Sequence, residues 1–311
     1  MFKYVVKKFI LLVVSLYIVI TATFFLMHLI PGDPFTEEEA IPQEILRALY
    51  HHFHLEEPLP VQYWNYLKGV MVGNFGPSFK YQGRMVSDII REGFPVSCTL
   101  GLEALFLALA VGITCGAVAA LKRTKWEDSL TMIGAILGIS VPSFLLATFL
   151  QYIFAMKLDL LPVARWGSFQ HTILPAIALA AMPTAFIARL TRSSMVEVLQ
   201  QDYILTAKSK GLSTLRILWK HILRNALLPV VTYLGPLIAS ILTGSFVVEK
   251  IFGIPGLGQW FVLSVTNRDY MLIMAITIFY SFILMFSVFS VDILYFILDP
   301  RIKLWKRSNN S

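Results

Sequence analysis

A chain of 311 residues in which 57% are hydrophobic and only 14% charged, with mean hydropathy +0.69, is excluded from the ordinary water-soluble domains, where about a quarter of residues are charged. The formal net charge of +7 gathers in a few segments, a pattern of membrane orientation and not of a nucleic-acid partner. Cys98 and Cys115 fall on one predicted helix. At about 1.5 Å per residue they lie roughly 25 Å apart, beyond disulfide reach, and no zinc-like spacing surrounds them.

In chain order, a short basic start (Lys3, Lys7, Lys8) precedes an apolar run over 9–30. It is longer than a signal-peptide core and lacks small residues at its end, so it reads as a retained first span. Five more segments have bilayer length: 98–121, 129–156, 172–189, 227–249 and 271–298. Prolines interrupt the fourth (Pro175, Pro183) and fifth (Pro229, Pro236); a helix bundle re-satisfies the carbonyls they free. With a cytoplasmic N-terminus, the inside segments 1–8, 122–128, 190–226 and 299–311, together with Arg189, hold 17 of the 26 Lys/Arg. That asymmetry sets the orientation. The expected fold is an all-α polytopic membrane protein with six transmembrane helices and both termini cytoplasmic. Its parts are a first tail and span (1–30), an external, partly helical segment (31–97), a five-helix core (98–298) and a cytoplasmic tail (299–311). Segment 251–270 reads as an external, turn-rich loop carrying Trp260.

The fourth and fifth spans are joined by a basic loop, Arg189 to Asn225, with seven Lys/Arg against Glu197 and Asp202. A short helix is legible inside it: Asp202 as N-cap, Tyr203 to Lys210 as body, and Gly211 as the left-handed residue that ends it. Lys208 and Lys210 suit the negative end of the helix dipole. Eight residues are too few for a helix stable alone in water, which predicts a supporting surface on another protein.

No Gly-Lys dipeptide occurs, so the phosphate-cradling loop of nucleotide hydrolases is absent and any ATP must be hydrolysed elsewhere. Two acids, Glu103 in the second span and Asp292 in the sixth, are candidates for intramembrane function. Helix-packing hydrogen bonds are the plainer reading, since neither has an evident basic partner at its depth. Gly112-x-x-x-Gly116 and Gly134-x-x-x-Gly138 suit close helix approach. His51, His52 and His54 lack the carboxylate or cysteine support of a metal site, and no catalytic constellation emerges.

The loop's Ala207-Lys-Ser-Lys-Gly211, followed by His221-Ile-Leu223-Arg-Asn225-Ala-Leu-Leu228-Pro229, resembles the cytoplasmic loop of ATP-binding-cassette importer permeases, E-A-A-x-x-x-G then I-x-L-P. Leu205 and Thr206 replace the Glu and first Ala, His221 stands where Ile is common and Arg224 where Pro is common. Pro31-Gly-Asp-Pro34, Gly73-Asn-Phe-Gly76-Pro-Ser78, Ser140-Val-Pro142-Ser-Phe144, Ile251-Phe-Gly253-Ile-Pro255-Gly256-Leu-Gly258 and Asp299-Pro300-Arg301 extend the likeness to the first (B-type) permease of oligopeptide and dipeptide importers. The resemblance implies a type I importer permease and a heterodimer with a second, similar permease. It also implies two cytoplasmic ATPases that carry the ATP and Mg, an external solute-binding protein and a peptide substrate. No cofactor or metal is then expected on this chain. Asp202, Tyr203, Thr206, Ala207, Lys210 and Gly211 would form the coupling helix, with Ala207 and Gly211 as the small residues at the contact. Nickel or glutathione permeases look similar, and a self-contained proton-coupled carrier using Glu103 is the rival from another class.

Overall fold

The computed structural model describes residues 2–30, 35, 43–242 and 246–298. Pro31–Pro34, Ser245, the tail 299–311 and its Asp299-Pro300-Arg301 motif lie outside them. The described residues form helices and connecting turns, with one isolated bridge, Pro77 to Met85, in place of any sheet.

The helices are α1 (Phe2–Leu29), α2 (Gln43–His52), α3 (Leu59–Met71), α4 (Val86–Leu121), α5 (Trp126–Ser140) and α6 (Ser143–Leu150), the last continuing as a wide π-helical turn over Gln151–Lys157. They are followed by α7 (Gln170–Leu199), α8 (Asp202–Ser209), α9 (Thr214–Ile217), a second π-helical turn (Leu218–Leu223) and α10 (Arg224–Ala226). The chain closes with α11 (Leu228–Leu242), α12 (Phe246–Phe252), α13 (Leu257–Thr266) and α14 (Tyr270–Leu298). Among the described residues, four helices (α1, α4, α7 and α14) are each long and apolar enough to cross a membrane.

Three further stretches pass that test only as bent pairs. The expected span over 129–156 is broken at Val141-Pro142, and its halves diverge by 104°. Pro142, the N-cap of α6, has no N–H to continue the hydrogen bonding of α5, so the helix restarts in a new direction. The expected fifth span is described as α11 up to Leu242, and its residues 246–249 belong to a separate helix, α12. Within the segment expected to be a turn-rich loop, 251–270, Leu257–Thr266 instead form a second short helix, α13, folded at 102° to α12. Conversely, α7 runs unbroken through Pro175 and Pro183, outlasting the expected 172–189 at both ends. The second span also starts earlier, at Val86, with Pro95 inside. Its 36 residues reach about 54 Å, longer than the roughly 30 Å apolar core of a bilayer.

The bundle is centred on α4 and α7, which pack along each other most extensively. Between apolar helices in lipid, close packing replaces the hydrophobic drive. A Cβ on Gly116 would stand 2.4 Å from the Ala188 carbonyl oxygen, and one on Gly112 would stand 2.9 Å from Ile187. Gly138 likewise abuts Ala185, whereas Gly134 faces open space and has no part in the contact. Ala104, Ala108, Ala180, Ile187, Val230 and Leu237 join α4, α7 and α11 in one core. The N-terminal turns of α4 (Val86, Ile89, Ile90) pack separately on Leu257 and on Leu272, Ala275 and Ile276 of α14.

Candidate functional site

The basic loop after α7 folds into a small two-sided unit. α8 covers Asp202–Ser209, one residue earlier than expected. Gln201 is the N-cap and makes no side-chain capping bond, so Asp202 is the first helical residue and not the cap. Its carboxylate still lies in the first turn, where the dipole favours it. Lys210 is the C-cap. Gly211, at φ +73°, is left-handed and ends the helix as expected, with open space around its Cα.

The inner side of α8 is apolar. Ile204 and Ala207 are buried among Met195, Ile217, Ile222, Leu223 and Ala226. Much of the support that so short a helix needs therefore comes from this chain. Ala207 faces inward, so its small side chain serves packing within the loop and is unavailable to a partner across the exposed side. Asp202, Tyr203, Leu205, Thr206, Lys208 and Lys210 stand on the outer side, all exposed. Leu205 is 56% accessible, a large apolar side chain with nothing over it. Asn225 Nδ2 donates to Tyr203 Oη at 2.9 Å, tying the start of α8 to the loop's return strand of chain.

A charge pair braces this unit against the bundle. Arg192, near the end of α7, donates through Nε and an Nη to both carboxylate oxygens of Asp128 on α5, at 2.5 and 2.8 Å. The Thr124 amide adds a third donor at 3.0 Å. This bidentate fork fixes the angle at which α7 enters the loop. Nothing in the linear sequence joins Arg192 to an acid 64 residues earlier, and the pair was not foreseen.

The two intramembrane acids fare differently. Asp292 has a basic partner after all: Lys8 Nζ lies 2.7 Å from its Oδ2, linking α14 to α1. In the sequence Lys8 belongs to the basic start that marks orientation, and nothing local joins it to the last span. Glu103 is half-buried on α4 and has no side-chain hydrogen bond or ion pair among the described residues. Neither acid approaches α8, so the candidate residues make one loop site and two separate positions. Among the described residues, no group of His, Cys, Asp or Glu is placed to hold a metal.

Residues 112–304 match the family described as binding-protein-dependent transport system inner membrane component, and residues 1–101 match its N-terminal companion. The chain belongs to this transport family. It is 52% identical over 307 residues to the dipeptide transport system permease protein DppB of Bacillus subtilis, covering 99% of this chain and all of that one. It is 43% identical to the oligopeptide transport system permease protein OppB of Salmonella typhimurium, over 97% of this chain and all of that one. Among solved structures, the MetNI methionine ABC transporter in inward-facing form aligns with TM-score 0.54 at 15% identity, over 68% of this chain and 96% of that one. That likeness shows a shared fold.

The transport component holds one more polar site, at the end of the bundle where α4 begins. Glu249 of α12 is fully buried. Ser97 Oγ donates to its Oε1 at 2.8 Å, and the Gln259 amide donates to its Oε2 at 3.1 Å. The Leu257 amide in turn donates to Ser97 Oγ at 2.9 Å. The carboxylate thus caps the start of α13, where unpaired amides and the dipole favour an anion. Gly256 and Gly258 admit it: a Cβ on either would stand 2.5 and 2.9 Å from a Glu249 oxygen. The Gly-x-Gly spacing was the visible signal, but it had no partner until Glu249 and Ser97 were brought together. Asp269 does the same for α14, accepting from the Leu272 amide at 3.2 Å and from the Ser78 hydroxyl.

Proposed function

We propose that this chain is a permease subunit of an ATP-driven peptide importer in a bacterial inner membrane, and that α8 is its coupling helix. Six spans with both termini cytoplasmic fit the helices: α1, α4, α7 and α14, the bent α5–α6 pair, and α11 with the segment leading into it. The α12–α13 pair then re-enters from the outside without crossing. A second, similar permease completes the path. Two cytoplasmic ATPases bind and hydrolyse ATP, and an external solute-binding protein delivers a dipeptide or oligopeptide. The substrate class rests on the relatives, whose names specify dipeptide and oligopeptide transport over the full length of this chain.

The observation that carries the coupling role is the two-sidedness of α8. Ile204 and Ala207 bolt it to the loop, while Tyr203, Leu205, Thr206 and Lys210 are left exposed beside cationic neighbours. A lever needs both properties: attachment stiff enough to transmit a displacement, and a free face for the part that drives it. Arg192–Asp128 carries that displacement to α5 and α7, whose relative tilt would open or close the path. Gly211 permits the turn that aims the face.

Purification of the complex in mild detergent tests this. The wild-type chain should bring down a second permease and two ATPases, and the reconstituted complex should show peptide-stimulated ATP hydrolysis when the binding protein is added. Gly211→Trp should keep the membrane fold and lose the ATPases or their coupling. Full association and uptake in that variant would remove α8 from the mechanism. Glu103→Gln should leave uptake largely intact; its abolition, with transport persisting after ATP depletion, would favour a proton-coupled carrier.

A further inference from the structure

A cleft of about 640 Å³ opens at the end of the bundle remote from the basic loop, between the last turns of α1, helix α3 and the start of α14. That volume is within the range of small-molecule sites. Its floor is apolar and soft: Phe24, Met27, Phe75, Met271 and Met274 line it with Tyr66. The polar groups at its mouth are mostly spent on one another. His28 Nε2 lies 3.2 Å from Gln62 Oε1, and Gln62 Nε2 donates to the Leu55 and Glu57 carbonyls at 3.1 and 2.7 Å. Asn65 Nδ2 donates to the Glu57 carboxylate at 3.2 Å, and His54 contacts the other carboxylate oxygen.

Among the described residues that line the cleft, one buried polar atom has no partner. Tyr66 is only 7% exposed, and its Oη has no hydrogen-bond partner among the described residues. Burial pushes its phenol above the usual range, so it stays a neutral donor. A buried hydroxyl without a partner is unfavourable, which marks it as waiting for an acceptor. The cleft therefore asks for an apolar body carrying a single uncharged acceptor.

The depth of the cleft says where such a molecule comes from. α1 has 28 residues, about 42 Å, so its final turns lie at a bilayer's edge. α3 is pinned along them by the Tyr63–Thr21 hydroxyl pair at 2.7 Å. The opposite side of α3 exposes Val61 and Trp64, with Lys68 Nζ held 5.3 Å from the Trp64 ring centre. Trp with Lys on an amphipathic helix is the pattern of a segment lying in the headgroup boundary.

We propose that this cleft binds one acyl chain of a membrane phospholipid, with the chain's ester carbonyl accepting the Tyr66 hydrogen bond. The site does not depend on the proposed transport function. It would pin α3 and α14 to the leaflet while the rest of the bundle moves.

The test uses the purified full-length chain, with whatever subunits accompany it, in vesicles of phosphatidylethanolamine containing a fraction with a diazirine in one acyl chain. After illumination, adducts are mapped by mass spectrometry. Labelling is expected at Met27, Tyr66 and Met274, and also at the exposed Leu137 of α5. Met27→Trp should fill the cleft and remove the cleft adducts while Leu137 is labelled as before. The near-isosteric Tyr66→Phe, which preserves packing, should weaken retention of the lipid through delipidation by about three- to tenfold. Labelling of Leu137 without the cleft, or cleft labelling indifferent to both substitutions, would overturn the proposal. Displacement of the lipid adducts by an apolar tripeptide would also overturn it and give the cleft to substrate.

Discussion

The basic loop and the α12–α13 hairpin are both built from short helices that meet at sharp breaks, yet they finish their polar accounts in opposite ways. In the hairpin, Glu249, Ser97 and the first amides of α13 satisfy one another, and the carboxylate is fully buried. In the loop, the first turn of α8 has no side-chain cap and Leu205 lies open. The hairpin is complete in itself. The loop holds its inner side fixed and leaves its outer side for something else. What distinguishes a structural joint from a working surface here is where unsatisfied groups remain.

Breaking the complete region should have the largest effect on the fold. Glu249→Ala would leave Ser97 Oγ and the α13 amides unpaired in a buried space, destabilising by about 2–4 kcal/mol. Thermal unfolding in detergent should show a clear fall in Tm, and Glu249→Gln should recover part of it. Next comes the brace. Removing either partner of Arg192–Asp128 should lower stability by about 1–3 kcal/mol and loosen coupling between ATP hydrolysis and uptake, a split read from the ratio of the two rates. On the open side the order reverses. Leu205 is more than half exposed, so Leu205→Ser should shift unfolding by less than about 0.5 kcal/mol. Loss of so exposed an apolar contact should nonetheless weaken ATPase association by about tenfold or more, measured by titration of the purified subunits. The smallest effect belongs to Glu103→Gln, which should leave peptide uptake within about twofold of wild type. A tenfold loss there would mean that the membrane interior, and not the loop, holds the working site.

How much of this the sequence reveals depends on the range of each interaction. Local signals were legible: the apolar lengths of α1, α4, α7 and α14, the basic loop, and Gly211 as a left-handed helix stop are all written in neighbouring residues. Helix ends shifted by a residue where capping chemistry was ambiguous, as with Asp202 and Gln201. Proline misled in both directions. Val141-Pro142 broke a span because α6 restarts there, while Pro175 and Pro183 did not break α7, whose neighbours pack around it. Hidden altogether were pairings between distant segments: Lys8 with Asp292, Arg192 with Asp128, Glu249 with Ser97. Each joins residues with no shared periodicity, so only the folded bundle brings them together. The inward turn of Ala207 was hidden for the same reason, because its burial depends on Ile217, Ile222 and Leu223 returning beneath it.

The most direct test of the account is a single cysteine at Leu205, placed in a chain whose Cys98 and Cys115 are replaced by serine, and treated with a short thiol-reactive crosslinker in inside-out vesicles containing the whole complex. The account predicts a crosslink from residue 205 to an ATPase subunit, lost or gained as nucleotide is bound and hydrolysed. Modification of that cysteine by an impermeant reagent added outside intact cells, or free labelling from within while the ATPases remain bound, would contradict it.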